Sequence, residues 1–191
     1  MVIGITGGSG AGKSTVSAEF EKHGFKIADA DKIAHMLMVP GTGCFCETLK
    51  YFGREFLNTD GTLNRKKLGE VVFSNAEKLS ALNKITHKYI TAEIKKITEE
   101  NRNTVIDAAV LFESGADDLC DATVYVHCPE EIRIKRIMER DGISEEYAKI
   151  RIHSQAQENE YKGKCDYTVL CDGKTDITKQ IEEILNCLRK Y

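Results

Sequence analysis

Short apolar runs alternating with amphipathic stretches organise this chain. Val2-Ile3-Gly4-Ile5-Thr6 has the pattern of a buried strand, and Thr15 to His23 that of a helix with Val16 and Phe20 facing inward. Gly24 ends this helix. Phe25-Lys26-Ile27-Ala28 predicts a second strand. It runs into Asp29-Ala30-Asp31 and a helix through Ile33, Ala34, Met36 and Leu37, broken by Pro40-Gly41. From about 41 to 100 only helical spacing appears. Phe45, Leu49 and Phe52 mark one piece, and Asn64 caps a second through Leu68 and Val72. A long amphipathic run follows, carrying Leu79, Leu82, Ile85, Tyr89, Ile90, Ile94 and Ile97. Strands return at Thr104-Val105-Ile106-Asp107, Ala122 to Val126 and Tyr167 to Leu170. Pro129, Ser144 and Asp176 open the helices between and after them.

This alternation predicts an α/β fold whose parallel sheet is covered on both faces. The stretch 32–101 reads as a mostly helical lobe inserted between the second and third strands, either a cover for a substrate or simply a long crossover. A chain of 191 residues, 41% of them apolar, suits one such domain. The net charge of −3 gives no global basic field, so nucleic acid is not an expected partner. No apolar run approaches the roughly 20 residues of a membrane span. The sequence enters its first strand without a charged or apolar leader, so a cytoplasmic protein with no membrane partner is expected. Seven cysteines, with no C-x-x-C pair, predict reduced thiols. Cys44-x-Cys46 lacks the second half of a metal site. Cys128 and Cys171, at strand ends, are expected to pack as small apolar residues.

The candidate chemistry starts at Gly7-Gly8-Ser9-Gly10-Ala11-Gly12-Lys13-Ser14, which fits G-x-x-x-x-G-K-[ST] between a strand and a helix. Five glycines among the nine residues from Gly4 to Gly12 are poor structural material unless a ligand needs close backbone approach. Here successive amides would meet phosphate oxygens. Lys13 would bring a charge to the β- and γ-phosphates, and Ser14 a hydroxyl to Mg2+.

In such sheets ligands bind at the carboxyl ends of the strands, and those ends carry carboxylates. Asp107 closes the third strand and is a candidate to hold Mg2+, with a capping role as the competing reading. Asp29 and Asp31, two apart in an extended segment, would share a face. One of them is the candidate base for an acceptor hydroxyl; helix capping is the equal alternative. Arg133, Arg136 and Arg140, with Arg151 on the next helix, would neutralise a transferring phosphoryl group under a closing lid. A solvated face paired with Glu130, Glu131 and Glu139 is the competing reading. His87 lies mid-helix in the insert, and no metal-binding cluster of His, Cys and Asp is spaced along the chain.

Taken in order, these motifs resemble the dephospho-CoA kinase family over essentially all 191 residues. The likeness rests on Ile5 to Val16, Asp29-Ala30-Asp31 with Ile33-Ala34, Phe52-Gly53, Gly61 to Arg65 with Leu68 and Val72-Phe73, and Leu82-Asn83 with His87. It continues through Asp107 to Leu111-Phe112-Glu113, then Arg136, Arg140-Asp141 and Arg151-Ile152 with Ser154-Gln155. The resemblance implies a P-loop NTPase fold of three α/β/α layers around a five-stranded parallel sheet. The core would be about 1–31, 102–140 and 162–191, with a CoA-binding insert at 32–101 and a lid at 141–161. It implies transfer of the γ-phosphoryl group of ATP to the 3′-hydroxyl of dephospho-CoA, with Mg2+, by a monomer or weak homo-oligomer. Asp31 would be the base, while Lys13 and Arg140 would stabilise phosphate charge. Gly8, Gly10, Ala11, Gly12, Lys13, Ser14, Thr15 and Arg136 would bind nucleotide, and Asp29, Asp31, Arg65, His87 and Glu113 the acceptor. The chain departs from the family pattern at Lys88, where a proline is usual, at Ala109-Val110 in place of Pro-Leu, and at Cys171 in place of asparagine.

Two other readings are testable. A kinase of the same fold could act on a nucleoside, nucleotide or shikimate-like alcohol; the insert motifs argue against it. A GTPase switch needs Asn-Lys-x-Asp, and Asn83-Lys84-Ile85-Thr86 fails at the last position.

Overall fold

The structure, a computed structural model, describes residues 1–154 and 158–190. Five strands, β1 (Val2–Thr6), β2 (Lys26–Asp29), β3 (Thr104–Asp107), β4 (Ala122–His127) and β5 (Tyr167–Leu170), form one sheet in the order β2-β3-β1-β4-β5. β1 pairs in parallel with both β3 and β4, and β4 with β5. β1 is therefore central, and it is the strand that delivers the phosphate loop. Its Ile3 and Ile5 are wholly buried, as are Val105, Ile106, Val124 and Val126, because helices cover both faces.

The chain divides into two compact units, 1–28 with 100–191, and 29–99. In the first, α1 (Lys13–Lys22) and α9 (Ile177–Leu188) pack on the sheet through Val16, Phe20, Ile181 and Leu185. Burying a side chain such as Phe20 completely contributes about 1.5–3 kcal/mol. α6 (Glu130–Asp141) and α7 (Glu145–His153) pair through Ile134, Ile137, Ala148 and Ile152. α8 (Glu158–Lys164) precedes β5.

The second unit is helical, with α2 (Ala30–Leu37), α3 (Gly43–Phe52), α4 (Arg65–Phe73) and most of α5 (Ala76–Glu100). Its own core contains Met38, Phe45, Phe56, Leu68, Val72 and Ile85. Capping decides where these helices begin. The side chains of Asp29, Thr42 and Asn64 accept from the amides of Lys32, Phe45 and Lys67 at 3.0, 3.3 and 2.9 Å. Each cap contributes about 1 kcal/mol. The Asp29 cap corrects one expectation: the chain turns helical at Ala30, so Asp31 stands in the first turn of α2 and not in an extended segment. α5 runs unbroken past Lys88. There the Lys88 ammonium meets Glu47 of α3 at 2.9 Å, and the Tyr89 hydroxyl donates to the same carboxylate at 2.7 Å.

Candidate active site

The phosphate loop leaves β1 after Thr6, whose hydroxyl donates to the Ala109 carbonyl at 3.2 Å. The Ala11 amide turns back onto the Gly8 carbonyl at 3.1 Å, and the amides of Thr15 and Val16 meet the Gly12 carbonyl at 3.0 and 3.2 Å. α1 thus begins at Lys13 with no side-chain cap. The first amides of a helix have no acceptor within it, and the helix dipole favours an anion there. Lys13 Nζ lies over the loop, donating to the Gly7 carbonyl at 3.0 Å. Ser14 and Thr15 are exposed beside it.

The glycines are required here by geometry. Gly12 has φ +98°, and a Cβ on it would lie 2.4 Å from Cys171 Sγ. Gly10 has φ +75°, and a Cβ would lie 2.8 Å from the Arg133 carbonyl. Such backbone suits glycine alone. Cys128 and Cys171 are buried at the ends of β4 and β5. Arg136 Nη1 lies 3.4 and 3.8 Å from their sulfurs and donates to the carbonyls of Gly10 and Ala11 at 3.2 and 3.3 Å. Arg133 departs from the reading of the arginines as one row facing the phosphoryl group. It is 1% exposed, and its Nε donates to the Ser9 carbonyl at 2.8 Å.

Asp107 ends β3, and its Oδ2 accepts from Ser17 Oγ at 2.7 Å. Among the described residues no cluster of three or more His, Cys, Asp or Glu could hold a metal. Mg2+ is a hard cation that binds through one or two carboxylates plus substrate phosphates, and the Ser14 hydroxyl and the Asp107 carboxylate are oxygen donors of that kind.

In the helical unit, Asp29 and Asp31 line a cleft of about 520 Å³ with Lys32, His35 and Met36. Burial pushes the Asp29 carboxyl up. The Lys32 amide and ammonium outweigh it, and the net shift is below the usual aspartate value. Asp29 is therefore held as an anion by its capping role. Arg65 opens α4, and its Nη2 donates to the His35 carbonyl at 3.4 Å. His87 is half-buried on α5.

At the end of α6, Arg140 grips the neighbouring carboxylate of Asp141 with Nε at 2.7 Å and Nη2 at 2.8 Å. Arg151 of α7 donates to the same carboxylate. The hydrogen bonds from Arg140 lead in holding the Asp141 carboxyl down at about 2, with Arg151 adding to them. Asp141 is thus the carboxylate that Arg140 and Arg151 share, while Glu130 lies 3.3 Å from His153. Glu113 accepts a hydrogen bond from Tyr161 of α8, whose ring lies 5.5 Å from that of Phe112. The expected lid at 141–161 includes 155–157, and Gln155 with them lies outside the described residues.

Ser17, Asp141 and Tyr161 carry no motif of their own that marks them as neighbours of the candidate residues Asp107, Arg140 and Glu113. Asp141 stood inside the Arg-Asp pair at the end of α6, next to Gly142. Ser17, four residues beyond Lys13 on α1, offered only helical spacing as a signal.

The model of the dephospho-CoA kinase family matches residues 1–176. The chain belongs to the dephospho-CoA kinase family. It is 38% identical over 195 residues to a dephospho-CoA kinase of Carboxydothermus hydrogenoformans, covering 100% of this chain and 94% of the relative. Among solved structures, a Campylobacter jejuni dephospho-CoA kinase superposes with a TM-score of 0.69 at 30% identity, covering 99% of this chain and 97% of that one. TT1252 from Thermus thermophilus superposes with a TM-score of 0.84 at 28% identity, covering 98% and 96%. The fold is that of a P-loop kinase, and the chain is an ATP-dependent kinase acting on dephospho-CoA in coenzyme A biosynthesis. Among the described residues no helix is long and apolar enough to cross a membrane.

Proposed function

We propose that the chain transfers the γ-phosphoryl group of ATP to the 3′-hydroxyl of the ribose of dephospho-CoA, releasing ADP. The phosphate loop supports this most directly, with Lys13 and the first amides of α1 gathered on one glycine turn. Gly8, Gly10, Ala11, Gly12, Thr15 and Arg136 hold the nucleotide. Ser14 and Asp107 hold Mg2+, which when bound neutralises charge on the β- and γ-phosphate oxygens.

Asp31 accepts the proton of the attacking hydroxyl, and Asp29, already tied to Lys32, keeps α2 in place beneath it. Arg65, His87 and Glu113 contact the acceptor. Lys13 stabilises the charge that builds on the transferring group. So does Arg140, whose bidentate bond to Asp141 employs Nε and Nη2 and leaves Nη1 for a phosphate oxygen.

An ADP-release assay with dephospho-CoA, AMP, nucleosides and shikimate as acceptors tests the substrate. Turnover is expected with dephospho-CoA. Turnover with another acceptor and none with dephospho-CoA would overturn the proposal.

A further inference from the structure

Arg133 is the largest almost wholly buried side chain among the described residues, at 1% exposed. Arginine is rarely buried without hydrogen bonds. Its bond from Nε to the Ser9 carbonyl, at 2.8 Å, spans from α6 back to a loop 124 residues earlier. Its guanidinium also sits against Gly8, where a Cβ would lie 2.3 Å from Nη2 and 2.9 Å from Cζ. Three residues on, along the same face of α6, Arg136 takes the carbonyls of Gly10 and Ala11. Two guanidinium groups of one helix thus gather three successive carbonyls of the phosphate loop.

In a trans peptide, the carbonyl of one residue and the amide hydrogen of the next point in opposite directions. Holding the Ser9 carbonyl toward α6 therefore turns the Gly10 amide hydrogen toward the other face of the loop. We infer that Arg133 is a positioning residue for the nucleotide: from behind the loop it presets the Gly10 amide for a phosphate oxygen. The Arg133 charge, shielded from water, also favours an anion in front of the loop. The inference rests on the loop being the ATP site.

The test is calorimetric ADP binding to the full chain as wild type, Arg133→Met, Arg133→Lys and Lys13→Ala. Thermal midpoints and the KM for dephospho-CoA at saturating ATP are measured beside it. Arg133→Met should weaken ADP binding by about 10-fold or more, the equivalent of one charge-assisted hydrogen bond, without moving the dephospho-CoA KM. Arg133→Lys should recover part of that loss. Wild-type ADP affinity in either folded Arg133 variant would overturn the inference. So would an equal loss for ADP and dephospho-CoA, which marks a general packing defect. Should Arg133→Met fail to fold, Arg133→Lys alone decides: a several-fold weaker ADP affinity supports the role and an unchanged one removes it. Lys13→Ala separates the two layers. ADP affinity indifferent to Lys13 would remove the loop as the nucleotide site, whereas affinity that falls with Lys13 and ignores Arg133 removes only the present inference.

Discussion

Ser17 Oγ donates to Asp107 Oδ2 at 2.7 Å, tying the second turn of α1 to the carboxyl end of β3. Ser17 is buried, so this bond is shielded from water and fixes how the carboxylate is aimed. A carboxylate that helps hold a metal depends on such a partner for its orientation. Ser17→Ala should leave the fold intact and raise the Mg2+ concentration for half-maximal turnover by roughly 10-fold. A Mg2+ titration of turnover checks this; an unchanged midpoint would mean that Asp107 is aimed by other contacts.

The corner between α6 and α7 should carry an acid signature. The Asp141 carboxyl sits at about 2, held down first by the hydrogen bonds from Arg140. Its pKa in the folded chain is thus below the unfolded value. The stabilisation is complete above the ordinary aspartate range, near 4, and disappears as pH falls toward about 2. Urea midpoints of wild type and Asp141→Asn, compared at descending pH, should therefore converge in acid. A gap of constant size from neutral pH down to the acid limit would contradict the pairing.

The thiols should sort by burial. Cys46 and Cys187 are exposed. Burial, reinforced by Asp117 and Asp121, pushes the Cys120 thiol up to about 12, and burial pushes Cys165 up to about 11 against an opposing hydrogen bond with Thr123. The thiolate is the reactive form, so both should resist alkylation near pH 8. Iodoacetamide labelling of the native chain, read by mass spectrometry, should modify Cys46 and Cys187 and spare Cys120 and Cys165. Early modification of Cys120 would show that its surroundings open readily.

The legible parts of the fold share a physical cause: their signals are local. Glycines at 7, 8, 10 and 12 followed by Lys13 and Ser14 can be read without knowing what packs behind them. The caps at Asn64, Ser144 and Asp176 act within three residues of themselves. What the sequence hid depends on distant partners. Arg133 read as one of a set of arginines turned either to a phosphoryl group or to solvent; only the packing of α6 against the loop makes it a buried hydrogen-bond donor. Asp141 was hidden because its second partner, Arg151, is ten residues on, across a helix boundary. Asp29 and Asp31 were evenly placed between capping and chemistry until the turn into α2 made Asp29 the cap.

In the proposed reaction Asp31 readies the acceptor hydroxyl while the phosphate loop holds ATP. Steady-state turnover of dephospho-CoA by Asp31→Asn, with nucleotide affinity measured on the same preparation, tests it most directly. The expected result is a fall in kcat of roughly 10²-fold or more, about 2.7 kcal/mol of barrier, with ATP binding unchanged. Turnover within a few-fold of wild type would contradict it.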